Sequence, residues 1–333
     1  MGNVGGIILC AGLGSRLMPL TGVVPKPAIM FCGAPMAHYA RRALERAGVC
    51  ELGMNVHHLP ERMIAGMDGG KWCDGTRQMC VSREGEEILG TGGGAARVAQ
   101  AMPACERYVI YHGDVLCGVD CARAVAAHEA SGARVTMVVL PRPQEVKEDV
   151  RKSLGMIGVA DGEIVRIRDW WKKGAVRDLY GARCFCGIHI VERSVLEEIA
   201  GRGNVCLVTE VYRGMLERGE RIHAYEPGEE VFFADVGTPA TYLEAQRRCL
   251  VQAEVGGIAG SFKPMREGIC LRHGKAGRGP SYAFGVEVCE AGEIGENVCL
   301  NGVGVSEVRG SDEMVCAEGG IRLSGAWISG ADV

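Results

Sequence analysis

The sequence holds no long run of basic residues, and its formal net charge is −4 over 333 residues. Nucleic acid is therefore not an expected partner, and a phosphorylated ligand would have to be held by individually placed cations rather than by a general positive field. No apolar run approaches the roughly 20 residues that cross a bilayer, so no membrane span is expected. The opening stretch, MGNVGGIILCAG, has no basic segment ahead of its apolar residues, and glycine interrupts them at once. From this pattern neither a leader peptide nor a myristoyl anchor is expected, and the expected location is the cytoplasm. Cysteine is plentiful, at 16, but the Cys184-Phe185-Cys186 pair has no second pair at metal-ligand spacing. Cys10, Cys117, Cys184 and Cys249 sit inside apolar runs, where reduced thiols serve as small core residues. With 47% hydrophobic and 23% charged residues, the composition is globular, with room for one large or two ordinary domains.

Two familiar phosphate-binding patterns are missing as well. Residues 5–27 read GGIILCAGLGSRLMPLTGVVPKP. The apolar run Ile7-Ile8-Leu9 reads as a buried strand that breaks at Gly12 and Gly14, and two cations follow: Arg16 after Ser15, and Lys26 between Pro25 and Pro27. A strand, a glycine turn and fixed cations make a phosphate site, because glycine lets main-chain N–H groups approach a ligand closely. A Walker A loop needs Lys-Ser/Thr straight after its last glycine, and a dinucleotide fingerprint needs a third glycine where Leu17 stands. Neither condition is met. The series Gly12, Gly14, Ser15, Arg16, Pro19, then Pro25-Lys26-Pro27, resembles the signature of the sugar-1-phosphate nucleotidyltransferases, also called NDP-sugar pyrophosphorylases.

Further along, residues 37–47 have helical spacing with a stop at Gly48, 52–56 read as a second strand, 65–76 as loop and 79–81 as a short strand. Residues 88–94, Ile-Leu-Gly-Thr-Gly-Gly-Gly, read as a glycine loop entering a helix, either an anion- or base-binding N-terminus or a packing turn. This LGTGGG run resembles the base-contacting loop of the same family. The strand 107–111 leads to His112-Gly113-Asp114, and an acid at the C-terminal end of a parallel strand lies where open α/β sheets place ligands. The family usually carries Asn where this chain has His112. A helix is expected at 122–131, a strand at 135–140, and a hairpin around the Asp161-Gly162 turn. His189 alternates with apolar neighbours and reads as a core or edge histidine rather than a base. Helices are expected at 194–200 and at 209–217, the latter capped by Thr209, and residues 230–238 read as a strand ending in Asp235.

The resemblance implies an α/β fold over residues 1–252: a Rossmann-like, mixed but mainly parallel sheet flanked by helices. It implies nucleotide contacts from Ala11, Gly12, Gly14, Ser15, Gly90, Thr91 and Gly92, phosphate contacts from Arg16 and Lys26, sugar contacts from Gly155 and Gly187, and Mg²⁺ held by Asp114 and Asp235. Lys172 stands near the place of the family's sugar-phosphate lysine and reads equally as a solvated surface lysine. The implied substrates are an NTP, either GTP or UTP, and a sugar 1-phosphate, with mannose-1-phosphate guanylyltransferase and N-acetylmuramate-1-phosphate uridylyltransferase as the nearest branches. A non-catalytic sugar-nucleotide sensor of the same fold is the competing class, and would be expected to lose Arg16, Lys26 or an Asp. A nicotinamide dehydrogenase fits poorly, because the second strand ends in Asn55 and His57 rather than in an acid.

Texture changes from Gly256: a linker at 253–265 is expected, then a small β-rich domain at 266–333. Its segments Glu293-Ile294-Gly295-Glu296-Asn297-Val298 and Glu318-Gly319-Gly320-Ile321 resemble degenerate turns of a short left-handed β-helix, with an irregular β domain as the alternative. Such a tail is expected to tune assembly, including a homo-oligomer, and to supply no catalytic group. Truncation after Gln252 is accordingly expected to leave a folded core that retains nucleotide binding and turnover, measured by calorimetry and a pyrophosphate-release assay.

Overall fold

In a computed structural model, residues 3–249 are described apart from short breaks and the stretch 142–155, together with six short strands beyond them. The apolar run near the N-terminus is β1 (Val4–Leu9), fully flanked by parallel β4 (Glu51–Val56) and β6 (Arg107–His112). Between β1 and β4 lie a small antiparallel pair, β2 (Met30–Phe31) and β3 (Ala34–Pro35), and helix α1 (Met36–Arg46). Helix α2 (Pro60–Gly66) precedes β5 (Cys80–Arg83), which extends the sheet parallel to β4. The loop expected from residue 65 therefore begins later, because Ala65 and Gly66 close the last turn of a helix started by Pro60 at a position where its missing N–H costs nothing.

Helix α3 (Gly90–Ala101) leads into β6, a short β7 (Val115–Cys117) and α4 (Cys121–Ser131), whose Asp120 cap accepts from the N–H groups of Ala122 and Arg123. Then follow β8 (Val135–Pro141), the hairpin β9 (Met156–Ala160) and β10 (Glu163–Ile167), β11 (Trp170–Trp171), β12 (Gly181–Glu192), β13 (His223–Tyr225) and β14 (Phe233–Asp235). The main sheet runs β11-β10-β13-β8-β12-β6-β1-β4-β5, with β9 alongside β10 and β12. Only β10 and β12 oppose the direction of the other strands, so the sheet is mixed in its pairing while mainly parallel in its direction.

Strand alternation divides the core into two layers. Ile8, Val109 and Tyr111 join Ala37, Ala40 and Leu44 of α1 on one face, whereas Ile7, Tyr108 and Ile110 join Ala95, Ala96 and Val98 of α3 on the other. A third cluster ties Leu17, Leu20 and Phe31 to Leu116, Phe232, Val236 and Tyr242, which anchors the segment after β1 on residues from two distant parts of the chain. No described helix is long and apolar enough to cross a membrane.

Two local expectations change. The helix expected from Thr209 begins earlier, as a π-helical stretch Leu207–Tyr212 that continues into an α-helix Arg213–Arg218. Its cap is Cys206, whose sulfur accepts the N–H of Thr209. The run Gly90-Thr91-Gly92-Gly93-Gly94 is the first turn of α3 rather than a loop before it. Close packing explains the glycines: a Cβ on Gly93 would lie 2.1 Å from the carbonyl oxygen of Gly203, and one on Gly94 2.5 Å from Nδ2 of Asn55. Beyond residue 252, β15 (Gly268–Leu271) pairs antiparallel with β16 (Ser281–Phe284), β18 (Glu307–Arg309) pairs antiparallel with β20 (Trp327–Ser329), and β16, β17 (Val298–Asn301) and β19 (Val315–Ala317) pair in parallel. The expected linker, and the turns that would distinguish a β-helix from an irregular β domain, lie outside the described residues, as do Pro19 and Gly155.

Gly93→Ala is expected to cost about 2 kcal/mol or more, because the clash is with backbone that has no rotamer to yield. Gly85→Ala, where an added Cβ meets nothing within 4 Å, is the control. Denaturant melts of the two variants check this.

Candidate active site

The C-terminal ends of the central strands form one row. Gly187 of β12 packs on His112 of β6, where an added Cβ would lie 3.3 Å from the His112 Cβ, and register places His112 beside Leu9 of β1 and Leu9 beside Asn55 of β4. A cleft with an empty volume of about 640 Å³, its open mouth included, lies over this row. Residues Ala11, Gly12 and Gly14 line one wall, Ile88, Gly90 and Thr91 another, with Lys26 and Asp114 at the end.

The wall after β1 is shaped by its glycines in two different ways. Gly14 has φ +63°, and a Cβ there would come within 2.9 Å of the Lys26 Cβ and the Thr21 Cγ2. Its carbonyl takes bonds from Thr21 Oγ1 at 3.0 Å and the Leu17 N–H at 2.9 Å, and the Thr21 carbonyl lies 2.6 Å from His58 Nε2. This turn is thus closed on itself and onto the lysine segment. A Cβ at Gly12, by contrast, would point into open space. Among the described residues no protein acceptor takes the N–H groups of Gly12, Leu13 or Ser15, and of these Gly12 lines the cleft. Ser15 and Arg16 begin a short 3₁₀ turn, and both are exposed.

Lys26 is buried, at 6% exposure, with its ammonium 2.6 Å from Asp114 Oδ2 and 4.0 Å from Asp235 Oδ1. Pro25 and Pro27 fix the backbone on either side of it. Asp114 follows β6, and Asp235 arrives from the far end of the domain because β14 pairs with β7, setting Asp235 opposite Val115. Burial raises the Asp114 carboxyl, but the Lys26 ammonium, by its charge and its hydrogen bond, outweighs it and holds the group below the usual carboxylate range. Both carboxylates are about one-third exposed, so two anions face one ammonium with access to the cleft. No described group of three or more His, Cys, Asp or Glu side chains could hold a metal ion. Two carboxylates nevertheless suit Mg²⁺, which commonly takes one or two from the protein and completes its shell with phosphate oxygens and water. Arg16 packs against the turn after Asp235: its Nη1 would lie 3.1 Å from a Cβ on Gly237. The turn is itself closed by Thr241 Oγ1, which accepts from the N–H groups of Gly237 and Thr238.

The opposite wall contains side chains that sequence reasoning did not single out. Asn55, 2% exposed, accepts the Cys10 N–H at 2.8 Å and donates to Glu84 Oε1 at 2.6 Å, while Glu84 Oε2 accepts the Leu89 N–H at 2.8 Å. This buried chain fastens the segment after β1 to the start of α3 and so sets the width of the cleft. The available signal was a polar residue at the end of an apolar strand. Thr91 Oγ1 accepts the Leu207 N–H, and the Gly92 N–H is taken by the Val205 carbonyl at 2.7 Å. Gly90 and Thr91 therefore reach the cleft, whereas Gly92 lies behind them and packs on Val205. Gly187 has φ +79°, and a Cβ there would meet Val115 Cγ2 at 2.8 Å. Lys172 is engaged by Glu163 at 2.5 Å.

The nucleotidyl transferase family model matches residues 5–252. The chain belongs to that family. Among curated relatives, a UTP–glucose-1-phosphate uridylyltransferase of Synechocystis is 27% identical, covering 73% of this chain and 63% of its own length. A mannose-1-phosphate guanylyltransferase of Mycobacterium tuberculosis is 27% identical over 72% of this chain and 63% of its own length. A probable mannose-1-phosphate guanylyltransferase of Arabidopsis thaliana is 26% identical over 96% of this chain and 79% of its own. The chain thus spans about 63% of the first of these relatives. Among solved structures, HddC of Yersinia pseudotuberculosis has a TM-score of 0.56 at 19% identity, covering 74% of this chain and 99% of its own. The inositol-1-phosphate CTP transferase of T. maritima has a TM-score of 0.57 at 17% identity, covering 77% and 97%. These likenesses show the nucleotidyl transferase fold.

Within that fold the two signature glycines have separable duties. Gly12→Ala is expected to leave the melting temperature unchanged while weakening nucleotide binding, because its methyl would occupy the approach to the free N–H groups. Gly14→Ala is expected to cost roughly 1–3 kcal/mol through its positive φ and its contact with Lys26. Melting curves and nucleotide titrations on both variants check the division.

Proposed function

We propose that this chain is a sugar-1-phosphate nucleotidyltransferase, taking an NTP and a sugar 1-phosphate to a nucleoside diphosphate sugar and pyrophosphate. The observation that carries this reading is the buried Lys26 ammonium against Asp114 and Asp235, at the end of a cleft lined by Gly12, whose N–H has no protein acceptor among the described residues. A sensor protein would need the glycine wall but not this charged trio.

The reaction asks little of the protein beyond placement. An ionised phosphate oxygen of the sugar 1-phosphate attacks the α-phosphorus of the NTP, and the bond from that phosphorus to the bridging oxygen breaks, releasing pyrophosphate. No general base is required, since the nucleophile carries no proton at neutral pH; the work is orientation and charge neutralisation. Lys26, immobilised between prolines, supplies a point charge at the reacting phosphates, and Arg16 offers a planar fork to the departing pyrophosphate. The wall formed by Gly90 and Thr91 takes the base, and the side near Gly187 takes the sugar. Bound Mg²⁺, held by Asp114 and Asp235, would neutralise charge on the phosphate oxygens. Guanylyl transfer to mannose 1-phosphate is the specific assignment, supported by the names of several relatives; uridylyl transfer to an amino-sugar 1-phosphate is the alternative.

A panel of NTPs against sugar 1-phosphates, read by pyrophosphate release, is expected to show turnover with GTP and mannose 1-phosphate. Asp114→Asn and Asp235→Asn are each expected to lower kcat by roughly a thousandfold, about 4 kcal/mol, at saturating Mg²⁺. Near-normal turnover in either variant would remove that residue from the site, and silence across the whole panel would overturn the reading.

A further inference from the structure

Behind the cleft runs a buried chain of three polar side chains that the proposed reaction does not use. His112 lines the cleft, its Nε2 lies 3.3 Å from His189 Nε2, and His189 Nδ1 lies 3.0 Å from the Tyr212 hydroxyl. His189 and Tyr212 are wholly buried, on β12 and on the π-helical stretch Leu207–Tyr212. The ring of Phe185 packs against both imidazoles, at centroid distances of 6.0 Å and 4.5 Å. Gly187 makes room for the His112 ring: a Cβ there would lie 3.3 Å from the His112 Cβ.

The direction of the hydrogen bonds follows from what each group is able to do. The Tyr212 hydroxyl is sealed from water, stays protonated because burial pushes its pKa far up, and finds its acceptor in His189 Nδ1. His189, kept neutral by burial, must then carry its proton on Nε2. That N–H points at His112 Nε2, which therefore accepts, and the proton of His112 sits on Nδ1. Among the described residues Nδ1 has no protein partner, and it is not among the buried atoms left unsatisfied, so it meets the cleft.

We propose that His112 presents a fixed Nδ1–H donor to a ring hydroxyl of the substrate, on the ribose or the pyranose, and that His189 and Tyr212 set its tautomer. The position fits, since His112 stands between Leu9 and Asn55 on the nucleotide side, set by register, and Gly187 on the other, which packs on it. A hydroxyl oxygen suits a neutral N–H, whereas the phosphates are served by Lys26 and the amides after β1. The proposal rests on the cleft being a nucleotide and sugar-phosphate site; its tautomer arm does not.

Histidine-labelled protein without substrate is expected to show, by ¹⁵N imidazole NMR, a proton on Nδ1 of His112 and on Nε2 of His189. Tyr212→Phe, which removes one hydroxyl, is expected to abolish that preference. In kinetics with the preferred substrates, His112→Phe is expected to raise one KM by roughly tenfold with a smaller change in kcat, while His112→Asn, which keeps an N–H donor, stays within a few-fold. A raised KM for the NTP assigns the ribose, and a raised KM for the sugar 1-phosphate assigns the pyranose. Should His112→Phe fail to fold, Tyr212→Phe carries the kinetic test, with a smaller shift in the same KM. A wild-type proton on Nε2 of His112, or unchanged KM for both substrates in the variants, overturns the proposal. If no substrate pair is turned over, the functional reading fails while the NMR result still decides the relay.

Discussion

The ammonium of Lys26, buried and 2.6 Å from Asp114, is the interaction on which the cleft depends. Burying a charge is costly unless it is paired, so wherever Lys26 sits, its carboxylates must follow. Asp114 comes from the end of β6, Asp235 from the β14 strand that pairs with β7, and the lysine from a segment closed onto Gly14. One ion-pair cluster thereby holds three parts of the chain in a common place. It also leaves two carboxylates and one ammonium at the opening of the cleft.

That cluster is held at one end of a row that the sheet itself provides. Parallel β1, β4 and β6 end together, and β12, although reversed, brings Gly187 to the same level. The two walls are then fastened to one another below the surface by the Cys10–Asn55–Glu84–Leu89 chain. Buried polar networks of this kind are stabilising only when every member is satisfied, and here each side chain finds its partner on a different element. The same logic extends to His112, His189 and Tyr212, where one buried hydroxyl orients two imidazoles.

The elements were largely legible in the sequence. Apolar runs at 7–9, 52–56 and 107–111 are strands buried on both faces, and the spacing at 37–47 is a helix with one apolar side, because period and burial are local properties of the chain. Where reading failed, the deciding partner was remote. The run at 90–94 reads as a loop by composition, yet it opens α3, and Val205, Gly203 and Asn55 leave no room for a Cβ at Gly90, Gly92, Gly93 or Gly94. Thr209 reads as a cap by residue type, but Cys206 reaches the free N–H first.

For the site, the sequence by itself determined the chemistry available: two glycines, two placed cations and two acids at strand ends. Motif residues declare themselves because backbone freedom and fixed charge belong to the residue and its immediate neighbours. Only the tertiary structure decided how they combine: that Arg16 lies against the turn after Asp235, that Gly92 turns its N–H to Val205 instead of the cleft, and that Asn55 and Glu84 join its walls. Those facts depend on distances between segments far apart in the chain. Such distances are set by how the sheet and its two apolar faces pack, which no local pattern encodes.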